Sequence, residues 1–282
     1  MFVIAVVLTM TCAGSSGAWA QLQVEPQDEP QLVFAGSTQT ISVRWCNVGK
    51  AMIETDIRMR MMQLSSATAM PIDEAPWKTL RVLPGQTIVE TAALAFPAVR
   101  GETRFLVQWI EGSNRVAGST EVCVYPTNLL SELRPLVEKE GVLGVYDPQN
   151  ELKELLRNAK VEFADLGNTE LEKFRGTLAI IGPFDPKTSV GSVVTTQIKA
   201  IAENGVGVVW VQPPADESWV AKEKLKPSFY AVPENQTAAV IVQPELLANL
   251  AGNPRAQLNL IYFCKLALSP QPLTLPSVKK QP

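Results

Sequence analysis

Hydrophobic residues along this chain keep two different periods. From about residue 31 to residue 125 they recur at every second position, as on strands with one wet face. Ile53, Thr55, Ile57, Met59 and Met61 alternate with Glu54, Asp56, Arg58 and Arg60. Ile41, Val43 and Trp45 alternate with Ser42 and Arg44, and Phe105, Val107 and Trp109 repeat the pattern. Turn residues separate these runs at Asn47-Val48-Gly49, Pro84-Gly85, Arg100-Gly101 and Gly112-Ser113-Asn114. After Tyr125-Pro126 the period lengthens. Leu129, Leu130, Leu133, Leu136 and Val137 stand at helical spacing, and an apolar strand over 141–146 ends in Asp147. A helical stripe through Leu152, Leu155 and Leu156 precedes a strand at 161–163, ending near Asp165, and a short helix around 171–174. An apolar strand at 177–181 leads to a helix carrying Val194, Ile198, Ile201 and Ala202. Apolar strands at 206–211 and 238–242 follow, then a last helix over about 255–268.

The alternating half, with six to eight short strands and no helix, predicts an antiparallel β-sandwich of immunoglobulin-like type over residues 21–125. The antibody Cys-Trp-Cys spacing is absent. Strands apolar on both faces, alternating with amphipathic helices, predict a doubly wound parallel-sheet domain over 126–268. The Pro-rich tail, 269–282, has the composition of a disordered end.

Four stretches of the second half, 142–147, 152–156, 178–183 and 198–211, carry a family likeness. In the last, Lys199-Ala-Ile-Ala-Glu-Asn-Gly205 runs into Val206-Gly-Val-Val-Trp-Val211 as helix, glycine turn and strand. This half resembles the class I glutamine amidotransferase-like, flavodoxin-like fold. The resemblance implies a Cys nucleophile on a tight strand-to-helix turn, with a His and a Glu. Here the strand exits read Gly182-Pro183-Phe184-Asp185 and Gln212-Pro213-Pro214-Ala215. Neither holds Cys or Ser, so the resemblance implies a fold without its reaction.

Composition sharpens that point. The 282 residues include no histidine, which removes Ser-His-Asp and Cys-His triads, HExxH sites and imidazole-bound zinc. Carboxylates, lysine or a lone thiol remain for any chemistry. Hydrophobic residues make up 46% and charged residues 19%, enough to build cores. Residues 21–125 hold 9 basic and 11 acidic groups, and residues 126–282 hold 16 and 17. Neither half is a basic platform, so nucleic acid is not an expected partner. No cofactor is implied.

Residues 2–10 form an apolar run and Ala18-Trp19-Ala20 a small-x-small cleavage pattern, which predicts a signal peptide over 1–20 and a mature chain from Gln21. No Lys or Arg precedes the run, so either the α-amino group supplies the charge or translation starts upstream. The run is too short to span a bilayer, and no later stretch is longer. The expected location is periplasmic or extracellular. There Cys46 and Cys123, both out of phase with their apolar neighbours, would point away from the core as a surface cross-strand disulfide or as two unrelated thiols. Cys264, in an apolar helix, reads as a small buried hydrophobe.

Ligands of open α/β sheets bind at the carboxyl ends of the strands. Asp147, Asp165 and Asp185 stand there, either as oxygen ligands for a divalent metal or as helix caps, with Pro148 and Pro186 behind two of them. The cap is the stronger reading, and no metal is assigned. The loop over 212–227 adds Asp216, Glu217 and Trp219, suited to stacking and hydrogen-bonding a sugar ring or simply to packing the loop. The sequence therefore points to a non-catalytic interaction or assembly protein with a protein partner in the cell envelope. The alternatives are a carbohydrate-binding accessory protein and a carboxylate-dependent glycan hydrolase.

Overall fold

The computed structural model describes residues 22–112, 114–168, 171–184, 187–211, 229–234, 237–242 and 247–268. The predicted leader, the 212–227 loop and the Pro-rich tail lie outside them. The chain divides into two compact units: one holds the described residues up to Gln31 with Thr38–Ala95 and Thr103–Cys123, the other Leu32–Ser37, Phe96–Glu102 and the described residues from Val124 onward.

Among the described residues, eight strands precede the first helix. They are β1 (Leu22–Val24), β2 (Gln31–Phe34), β3 (Thr38–Asn47), β4 (Ile53–Leu64), β5 (Ala69–Val82), β6 (Thr87–Ala95), β7 (Thr103–Glu111) and β8 (Arg115–Tyr125). They form a three-stranded sheet, β1-β3-β6, and a five-stranded sheet, β2-β8-β7-β4-β5. The alternation read from the sequence is the alternation of burial. Ile41, Val43 and Trp45 of β3, and Phe105, Val107 and Trp109 of β7, are all fully buried. On the wet face of β4, Arg58 and Arg60 each reach the Glu74 carboxylate of β5 at 2.7 Å.

The two sheets meet through three indoles. Trp45 stacks on Trp77 of β5 at 6.1 Å between ring centroids and meets Trp109 edge-on at 5.9 Å. Trp77 and Trp109 are 4.9 Å apart, within the range of favourable aromatic pairs. Trp77 gets there through a bulge. Ile57 of β4 pairs with Lys78 and Arg58 with Pro76, so Trp77 is the unpaired extra residue.

The cysteine expectation is corrected here. Cys46 and Cys123 are not bridged and lie on β3 and β8, in different sheets, which leaves the reading of two unrelated thiols. Cys123 does not point to solvent, because Val122, Cys123, Val124 and Tyr125 are all buried. The end of β8 is covered on both faces, and the phase argument that sends alternate residues outward fails where both faces are covered.

The second unit is built on a six-stranded sheet. After a 3-10 turn (Leu129–Leu133) come α1 (Arg134–Glu140), β9 (Leu143–Tyr146), α2 (Glu151–Asn158) and β10 (Ala164–Asp165). They are followed by β11 (Leu178–Ile181), α3 (Ser189–Glu203), β12 (Gly207–Trp210), β13 (Phe229–Glu234), β14 (Thr237–Val242) and α4 (Pro254–Leu268). The order is β10-β9-β11-β12-β14-β13, with the first five strands parallel and β13 antiparallel to β14. The second strand is shorter and later than expected, two residues at 164–165 in place of 161–163, and the β13–β14 hairpin was not anticipated.

On one face, Ala179, Ile181, Val208 and Trp210 pack under Val194, Ile198, Ile201 and Ala202 of α3. α4 packs on β11, β12 and β14. Its approach is close, since a Cβ at Gly207 would come 2.7 Å from the Ala267 carbonyl oxygen. Cys264 is buried in α4 as expected, and burial pushes its thiol up to about 12.

Candidate functional site

The order of the parallel strands reverses at β9, with β10 on one side and β11 on the other. Chain segments leaving β9 and β11 diverge there, which opens a crevice at the carboxyl edge. Two exits wall it. β9 delivers Asp147, and β11 delivers Gly182-Pro183, whose Gly182 N–H donates to the Tyr146 carbonyl at 2.7 Å. A Cβ on Gly182 would stand 3.2 Å from Asp147 Oδ1 and 3.3 Å from that carbonyl. The glycine lets the two exits touch.

Asp147 is 2% exposed, and its carboxylate is fully engaged by the chain that follows. Oδ2 accepts the N–H groups of Leu152 at 2.8 Å and Lys153 at 3.2 Å, and Oδ1 accepts that of Gln149 at 3.2 Å. These are donors that a helix start leaves unpaired. The expected capping role thus holds in chemistry but not in position. The residue at the N-cap is Asn150, in the left-handed region with φ 62 and no side-chain cap bond, and Pro148 is not the first helical residue. Asp147 caps α2 from outside.

Asp165 is committed elsewhere. It accepts the Lys153 ammonium at 2.8 Å and the Gly167 N–H at 2.9 Å, and the lysine hydrogen bond holds its carboxyl below the usual range. Lys153 is 4% exposed. It serves both aspartates, one through its backbone and one through its side chain. Sequence reasoning missed it, because a lysine in an amphipathic helix reads as solvated. Among the described residues no three Cys, Asp or Glu gather as metal ligands. Asp185, Asp216, Glu217 and Trp219 lie outside the described residues.

Beside Asp147 the crevice widens into a groove of about 650 Å³ between α2 and the 247–251 turn, within the range of ligand-sized pockets. Its floor is apolar, formed by Leu152, Leu155, Leu247, Leu250 and Leu260. Its polar lining is Gln149, Glu151, Glu154, Asn158 and Asn249 besides Asp147, and no described lining residue is Lys, Arg or aromatic. The turn is held by α4, whose Gln257 Nε2 donates to the Leu250 carbonyl at 2.9 Å. Asn249, with φ 53, supplies its left-handed residue. That turn was legible in principle from Asn249, Gly252 and Asn253-Pro254. A second cavity, about 550 Å³ at the amino end of β9, mixes Arg134 and Lys160 with Glu138 and Glu162. Arg134 is occupied there by the Ala159 carbonyl.

No family model matches the chain, and a search of curated proteins finds no match. Solved structures give partial likenesses only. An alkylpurine DNA glycosylase of Pseudomonas fluorescens is 13% identical over 38% of this chain and 31% of its own, with a TM-score of 0.30. The sporulation control protein Spo0M of Bacillus subtilis is 13% identical over 41% of this chain and 56% of its own, at 0.28. A Listeria innocua β-glucosidase is 15% identical over 37% of this chain and 16% of its own, at 0.26. The chain thus spans about half or less of each, and likeness at this level carries no argument about fold or activity.

Proposed function

We propose that this chain is an exported, non-catalytic interaction or assembly protein, periplasmic or extracellular. In this reading an immunoglobulin-like sandwich precedes an amidotransferase-like domain without that family's reaction. The strand orders support the two fold assignments. β1, β3 and β6 take the places of immunoglobulin strands A, B and E, while β8, β7, β4 and β5 take those of G, F, C and C′. The five parallel strands run 2-1-3-4-5 in their own order of appearance, as in flavodoxin-like sheets.

The observation that carries the functional reading is how the carboxyl edge uses its groups. The Asp147 carboxylate is spent on the start of α2, and Gly182-Pro183 occupies the exit of β11. The whole sequence supplies no histidine. What the edge offers instead is a groove. Incubated with glutamine or with chromogenic glycosides, the protein should release ammonia or chromophore no faster than buffer. Turnover abolished by Asp147→Asn or Asp185→Asn would sink this reading.

A further inference from the structure

The carboxyl-edge groove has a charge pattern opposite to that of most sites at this place in α/β sheets. Helix N-termini here ordinarily receive anions, through backbone N–H groups aimed at a phosphate or carboxylate. In this chain those donors, on Leu152 and Lys153, are already taken by Asp147. One turn of α2 then places Glu151 and Glu154 on the groove wall. A phosphate, nucleotide or acidic peptide entering would meet the exposed carboxylates of Glu151 and Glu154 and no cation among the described lining residues. A sugar ring would find carboxylates and amides but no aromatic face among them, only aliphatic side chains.

We propose that this groove docks a cationic, leucine-rich peptide segment of a partner protein. Its apolar side chains pack on the half-buried Leu155, Leu247 and Leu250, and its Lys or Arg groups pair with Glu151 and Glu154. The proposal rests on the interaction-protein reading and names the partner's chemistry. Burial of apolar side chains supplies affinity, and the paired charges set which segments are accepted. Both glutamates are exposed, so each contributes modestly and is screened by salt.

The test uses the full chain and a short fluorescein-labelled peptide alternating Leu-Leu with Lys-Lys, beside a counterpart with Glu for Lys. Fluorescence anisotropy should rise saturably with the lysine peptide only, and less at high salt. Glu151→Lys with Glu154→Lys should weaken binding about tenfold, and the paired glutamine substitutions about threefold. Ala251→Trp, which fills the groove from an exposed wall position, should weaken it as well. Glu138→Lys, in the amino-edge cavity, should leave binding unchanged. Should the double charge reversal unfold the protein, the glutamine pair and Ala251→Trp decide the matter. The proposal is overturned by absence of saturable binding, by equal affinity in all variants, or by preference for the acidic peptide. An oligosaccharide that raises the melting temperature while the peptide stays silent would also overturn it and give the groove to a glycan. Such a failure without turnover removes only the docking assignment, whereas measured turnover removes the non-catalytic reading itself.

Discussion

The buried Lys153 ammonium lies 2.8 Å from Asp165, whose side chain is about one-third exposed. Removing the carboxylate would leave a positive charge in the interior, a change that costs several kcal/mol when both partners are buried. With Asp165 partly in water the cost of Asp165→Asn falls to about 2 kcal/mol. Its pH dependence has a definite sign. The folded carboxyl titrates below its ordinary 3.8, so the pair's contribution is present above that value and fades as pH falls through the depressed one. Urea midpoints of wild type and Asp165→Asn should therefore differ fully above about pH 5 and converge in acid. A gap that does not change with pH would mean that the ion pair is not its source. At this scale the sequence showed residue types better than their partners. Asp147 was legible as a cap because an acid before a helix has that use. The anchoring of Lys153 on Asp165 was not, since twelve positions and a turn separate the two.

Among the elements, strands with one wet face were the easiest to read. β3 and the first nine residues of β4 alternate, and their burial follows, while β7 keeps the period except at Leu106 and the buried Ile110. β5 was harder, because residues 69–74 are all exposed and the strand contains Pro71 and Pro76. Both prolines sit where the β4–β5 register shifts, paired with Met62 and Arg58. β5 is also the outer strand of its sheet. Proline and bulges at an edge obstruct pairing with a foreign strand. Replacing both prolines with Thr should speed aggregation on heating, seen by light scattering, with little change in the melting temperature. Unchanged scattering would assign the prolines to the bulges alone. β10 was misplaced and β13 missed for different reasons: two residues are too few to show a period, and β13 gains its strand character by pairing with β14.

Across the whole chain, the change of period near Tyr125 marked the division into two units, and spatial grouping places it at Cys123/Val124. The assignment of 32–37 and 96–102 to the second unit was not legible, because periodicity reports burial and not which body a segment joins. The predicted cleavage after Ala20 suits the first strand. β1 begins at Leu22, which is fully buried and pairs with Asn47, so the cut leaves it whole. Expressed with its first residues in a Gram-negative host, the protein should leave the cytoplasm with an intact mass that starts at Gln21. A retained leader would overturn the export reading. The three indoles that join the sheets also give the molecule an optical signature. Trp45, Trp77 and Trp109 are close enough for their excited states to couple, so far-ultraviolet circular dichroism should carry an exciton couplet belonging to sheet-to-sheet registry. Trp210, stacked on Phe184 in the other unit, contributes outside that couplet. A single spectrum can therefore follow slippage of the sheets apart from repacking beneath α3 in the second unit.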